Sequence, residues 1–209
     1  MKKINLNILL FIFVTTLITS CVKDDDYVTP TVKDYIFFED FAGDPLGSGS
    51  NEIPVNLENW INFNTNGTTK VWHSRTANYN GEVYKEHAQF SSFYSSSSSA
   101  QDEVWLISPE FDSNAMFSFI NAKDFDNGDV LKAFVTTDFD GTTAGIATAT
   151  WQELEINLPD GNDNYVDGGD FDLSIYNSPK VRVAFKYTGK KTGGPTTTCL
   201  IDNISIYKK

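Results

Sequence analysis

Residues 180–187 read KVRVAFKY, and the fold turns on how that stretch alternates. Val181, Val183, Phe185 and Tyr187 fall on one side; Lys180, Arg182, Ala184 and Lys186 fall on the other. Successive side chains of a strand point to opposite faces, so a period of two predicts a β-strand with one buried face. Similar runs are predicted at 35–41, 71–74, 104–108, 116–121, 130–136, 151–158 and 200–207, parted by Gly, Asn, Asp and Ser. No window carries a strong helical period. Many short strands between polar turns predict an all-β sandwich or barrel. Aromatic residues make up 14% of the chain, enough to fill the layer between two sheets. The serines at 91, 92 and 95–99 read as a surface loop, and 160–172 as an acidic, glycine-rich loop.

The N-terminal residues have a different character. Lys2 and Lys3 precede an uncharged, mostly apolar stretch, residues 4–18, which runs into Ile18-Thr19-Ser20-Cys21. A cationic start, an apolar core and small residues at the cut form a secretory signal over residues 1–20. A bilayer span needs about 20 apolar residues, more than this stretch offers. The cysteine after small residues resembles the lipobox of bacterial lipoproteins, which implies lipidation at Cys21 and attachment to a membrane. An acidic run, Asp24 to Asp26, follows. It resembles the export signal that places lipoproteins on the outer face of the outer membrane in some Gram-negative anaerobes. Residues 21–33 read as an acidic, flexible tether ahead of a domain at 34–209.

The whole chain carries a formal charge of −12, and losing Lys2 and Lys3 with the signal makes the remainder more acidic. That balance excludes nucleic acid as a partner and suits an exterior domain. With Cys21 lipidated, Cys199 has no cysteine to pair with, so packing or a metal must hold the fold. His73 and His87 are the only histidines. No HExxH, G-x-S-x-G or P-loop occurs, so the chain reads as not an enzyme.

Four phrases together resemble the choice-of-anchor J domains of surface proteins, relatives of the cleaved adhesin domains attached to secreted bacterial proteases. They are IFFEDF at 36–41, DEVWLISPEFD at 102–112, FVTTDFDGT at 134–142 with ATWQEL at 149–154, and GGDFDLSIYNSPKVRVAFKYTG at 168–189 with TTTCLIDNISIY at 196–207. Cys199 stands where that family usually has an aromatic residue. The resemblance implies a jelly-roll-like antiparallel β-sandwich, frequent structural calcium, and a role in adhesion or recognition of glycans or host proteins. The expectation is a cell-surface, non-catalytic binding module. The alternative is a structural or accessory lipoprotein of an outer-membrane complex with no small ligand.

Asp202 shares the parity of Leu200, Ile204 and Ile206, and Glu39 that of Tyr35, Phe37 and Phe41. A carboxylate on a core-facing row is costly unless paired or metal-bound. If the first and last strands pair, Glu39 or Asp40 meets Asp202, and such hard oxygen ligands suit calcium. A bulge that turns Asp202 outward, or hydrogen bonds to it from backbone amides, is the other reading. Asn62, Asn64 and Asn66 read as a polar turn rather than a second metal site. Trp72, Tyr79, Tyr84, Phe93 and Tyr94 lie in or near a polar stretch and are candidates for ligand stacking; packing is the alternative for each ring. Trp105 and Trp151 lie in strand phrases and read as core.

Overall fold

The computed structural model describes residues 32–43, 45, 47, 52–66, 68–79, 82–97, 100–162 and 164–209. The signal at 1–20, Cys21 and nearly all of the tether lie outside the described residues. From Lys33 onward the chain forms one compact unit.

Among the described residues, twelve strands build two antiparallel sheets. They are β1 (Tyr35–Glu39), β2 (Ile53–Pro54), β3 (Ile61–Asn64), β4 (His73–Tyr79), β5 (Glu82–Phe90), β6 (Gln101–Ile107), β7 (Ala115–Asp124), β8 (Leu131–Thr136), β9 (Gln152–Leu154), β10 (Val166–Asp172), β11 (Arg182–Lys190) and β12 (Thr198–Lys208). One sheet runs β10-β7-β12-β5-β4-β2, with β1 also on β12; the other runs β3-β6-β11-β8-β9. This is the expected jelly-roll-like sandwich, and the first and last strands pair as expected, Glu39 opposite Ile204.

The KVRVAFKY stretch behaves as its alternation requires. Val181, Val183, Phe185 and Tyr187 are all fully buried between the sheets. Phe185 meets Phe119 edge to face at 4.7 Å, and Phe117 stacks on Phe119. Each such ring contributes on the order of 1.5–3 kcal/mol by leaving water. The opposite face is also partly covered: Ala184, Trp105, Phe139 and Ile146 form a second cluster with Trp151 packed against it. Trp105 and Trp151 are therefore core, as read, but on the outer side of the second sheet.

Two sequence readings change. The stretch 160–172 becomes strand from Val166, at the sheet edge against β7. Its glycines hid it. A Cβ on Gly168 would sit 2.5 Å from the Phe119 ring, and Gly169 has φ +123°, where the β10–β7 register slips. Asn62 and Asn64 belong to β3 rather than a turn. Asn62 Nδ2 donates to the Val55 and Trp72 carbonyls, and its Oδ1 accepts from the Trp72 N–H.

Candidate functional site

β5 and β7 end where β12 begins, because Cys199 pairs with Phe90 and Thr198 with Asp124. Three connections therefore meet at one end of the sandwich: the segment after β5, the β7–β8 turn and the β11–β12 hairpin. They enclose a hollow of about 280 Å³ lined by Phe93, Tyr94, Phe125, Asn127, Thr196 and Thr198.

The rings are presented, not packed. Phe93 is 60% exposed, Tyr94 47% and Phe125 77%. Phe93 and Tyr94 sit in a 3₁₀ turn, Ser92–Tyr94, whose N-cap Ser91 accepts from the Phe93 N–H. Their rings meet nearly perpendicular at 5.1 Å. Phe125 has φ +50°, a left-handed conformation that a bulky side chain rarely adopts. Such strain costs about 1–3 kcal/mol and clusters at functional sites. The turn around it is fixed by Asp126, which accepts from the Gly128 N–H and pairs with Lys123 at 2.7 Å. The Lys123 ammonium holds the Asp126 carboxyl below its ordinary range.

The polar floor is laced together. Asn127 Oδ1 accepts from the Thr196 N–H at 2.7 Å, and Asn127 Nδ2 donates to Thr196 Oγ1 at 2.9 Å. The Asn127 N–H donates to Thr197 Oγ1, which donates to the Gly128 carbonyl. Ser91 Oγ donates to the Thr196 carbonyl at 2.7 Å. Beneath lies Tyr187. Its hydroxyl accepts from the Ser92 N–H and donates to the Thr197 carbonyl, each at 3.0 Å, so one buried group joins the ring-bearing turn to the hairpin. Burial raises its pKa to about 12. Gly189 makes room for it: a Cβ there would sit 2.7 Å from the Tyr187 hydroxyl. Asp102, fully buried in β6, accepts from Ser92 Oγ, Thr68 Oγ1 and Asn64 Nδ2. These hydrogen bonds lock the turn that carries Phe93 and Tyr94.

Phe93 and Tyr94, expected as ligand rings, line this hollow. Trp72 does not: it is fully buried, its Nε1–H donates to the Val104 carbonyl, and its ring packs on Phe90 and Tyr187. It lies between strands where both faces are covered, so it is core. Tyr79 lies in β4 and Tyr84 in β5; their side chains fall outside the described residues. Phe125, Asn127, Thr196 and Thr198 were missed. The signal was there in KDFDNGD, residues 123–129, where a single aromatic sits among turn formers with no strand face to fill.

The expected metal residues sit elsewhere. Glu39 and Asp202 lie on paired strands, but the parity argument for Asp202 fails. Cys199, Ile201, Ile204 and Ile206 all face the core, so the facing switches across Asp202–Asn203. The register slips there and Asn203 has φ +50°, marking a bulge. Asp202 is nonetheless buried and accepts from the Asn203 N–H at 2.6 Å. Glu39 accepts from the Phe41 N–H, and Asp40 is exposed and accepts from Ala42. Among the described residues no group of three or more His, Cys, Asp or Glu converges. Cys199 is buried, and burial pushes its thiol pKa up, which leaves it unreactive at neutral pH.

The two sheets define a β-sandwich. No protein-family profile and no curated protein matches the chain. Among solved structures it is similar to the K2 cleaved adhesin domain of Lys-gingipain, at 16% identity and TM-score 0.51, over 83% of this chain and 98% of that one. The K3 cleaved adhesin domain of Lys-gingipain from Porphyromonas gingivalis W83 gives 14% and 0.47, over 83% and 99%. The CBM22-1 xylan-binding domain from Paenibacillus barcinonensis Xyn10C gives 10% and 0.43, over 85% and 96%. The K2 likeness establishes the shared sandwich fold.

Proposed function

We propose that this chain is a non-catalytic, cell-surface binding module that takes a glycan at the Phe93–Tyr94–Phe125 end of the sandwich. The observation that carries the reading is Phe125, a bulky ring held in a left-handed backbone and left 77% exposed. Strain spent on presenting an apolar ring to water has no folding rationale, whereas a sugar's apolar face stacks on such rings and its hydroxyls pair with threonine and asparagine. The loops are tied together by hydrogen bonds before any ligand arrives, which lowers the cost of ordering on binding.

The position supports surface display. β1 starts beside the last residues of β12, Tyr35 opposite Tyr207, while the hollow lies where β12 starts. The chain thus enters the sandwich roughly 30 Å, the length of β12, from the hollow. In this reading Cys21 is lipidated and residues 21–33 are the tether to the outer membrane. A calcium ion held by Glu39 and Asp202 would staple the first strand to the last.

Phe125→Asn tests the site. Asparagine tolerates the left-handed conformation. The variant should melt no lower than the parent, yet lose binding at least fivefold on a glycan array. Undiminished binding places the ligand elsewhere, and a large loss of stability makes Phe125 a packing residue.

A further inference from the structure

Resting on that reading, we infer that the hollow takes the terminal residue of an uncharged glycan and discriminates against acidic sugars. Size sets the first part. At about 280 Å³ the hollow lies just under the range that encloses a drug-sized molecule, so it accommodates a single ring more readily than a chain. Its place at the tip of the sandwich, between three connections, suits an end rather than a run of residues.

Charge sets the second part. None of the six lining residues, Phe93, Tyr94, Phe125, Asn127, Thr196 and Thr198, is an Asp, Glu, Lys, Arg or His. Two nearby lysines are committed elsewhere: Lys123 to Asp126 at 2.7 Å, and Lys191 Nζ to the Ser95 carbonyl at 3.0 Å. Among the described residues, no cation lines the hollow to meet a sugar carboxylate. Asp124 and Asp126 flank Phe125 in sequence, on a chain that is acidic overall. Seating a carboxylate against three rings without a partner is unfavourable, and the acidic balance of the whole chain adds repulsion. The polar groups that remain suit hydroxyls. Thr196 Oγ1 is an acceptor for Asn127 and keeps its own hydrogen to donate; Asn127 Nδ2 keeps a second hydrogen; the Thr198 hydroxyl and the Tyr94 phenol each donate and accept.

The test uses the soluble protein from residue 22 onward with a C-terminal tag, titrated with methyl glycosides of glucose, galactose, mannose and xylose, and with methyl glucuronide and galacturonide. Ligand-observed NMR reads binding at low and at high salt. We expect at least one neutral glycoside to bind, and the matching uronide to bind at least tenfold more weakly at low salt, with a smaller gap at high salt as charges are screened. A uronide that binds as well as its neutral partner overturns this inference and leaves the glycan site standing. Failure of every sugar, neutral and acidic, overturns the glycan reading itself and the inference with it. Neutral binding that persists unchanged in Phe125→Asn moves the site and overturns both.

Discussion

Tyr187→Phe is the substitution that most sharply separates a preorganised ligand site from a group of unrelated loops. The ring of Tyr187 packs against Phe90 at 4.7 Å and Trp72 at 6.4 Å, contacts that phenylalanine keeps. What is lost is the hydroxyl, and with it the partner of the Ser92 N–H and of the Thr197 carbonyl. Each orphaned buried group costs about 1–3 kcal/mol; relief from burying the hydroxyl offsets part, for a net loss of about 2 kcal/mol. In a domain of this size that lowers Tm by about 4–8 °C. Tyr187 also has a pH signature. Its folded pKa of about 12 lies above the ordinary value of 10, so the stability it contributes is complete below pH 10 and is lost as pH rises toward 12. The gap between the folded and unfolded proton affinities of this one phenol is worth about 3 kcal/mol. Urea melts from pH 7 to 11.5 on both proteins measure this. The variant should be less stable at pH 7, should lose less between pH 10 and 11.5, and should bind ligand more weakly. A variant within about 0.5 kcal/mol of the parent, the usual scatter of surface substitutions, and with equal affinity would refute the joining role.

Four further outcomes follow, two from the structure and two from the N-terminal sequence. His73 is buried, and burial lowers its pKa from 6.5 to about 4. The unfolded chain takes the proton first, so stability falls as pH drops below 6.5, by about 2 kcal/mol at pH 5; His73→Leu should flatten that slope in urea melts. Chelation with EDTA should lower the melting temperature and calcium restore it, with the response absent in Asp202→Asn; a parent melt indifferent to chelator and no metal by elemental analysis would remove the cation. Cys21→Ser should abolish labelling by an alkyne fatty acid, and replacing Asp24, Asp25 and Asp26 with alanine should reduce protease shaving of intact cells; equal labelling, or unchanged shaving, counts against each in turn.

Alternation made the sandwich legible. Val181 to Tyr187 needed only a period of two, and all four apolar residues landed in the core. Where period failed, local geometry had intervened. One left-handed residue, Asn203, switches the parity of β12, and no sequence period announces a bulge. β10 was masked by Gly168 and Gly169, whose missing side chains make room for Phe119 and Phe171. The site was half legible. Phe93 and Tyr94 stood out as rings in a polar stretch. Trp72 has the same sequence signature and is core, because exposure depends on which strands flank it. Phe125 and Thr196 lie 71 positions apart and meet only because β7 and β12 pair. Asp102 and Tyr187 read as ordinary strand residues; their task of fixing the loops exists only in three dimensions.

The central claim is that ligand meets the protein at one end of the sandwich. Backbone amide chemical-shift mapping of the soluble domain, titrated with the best-binding glycan, tests it directly. The expected shifts cluster at residues 91–95, 125–128 and 196–198, with β1 and the β8–β9 connection unmoved. Shifts centred on β1, on the β8–β9 connection, or on either sheet face away from Phe125 would contradict it.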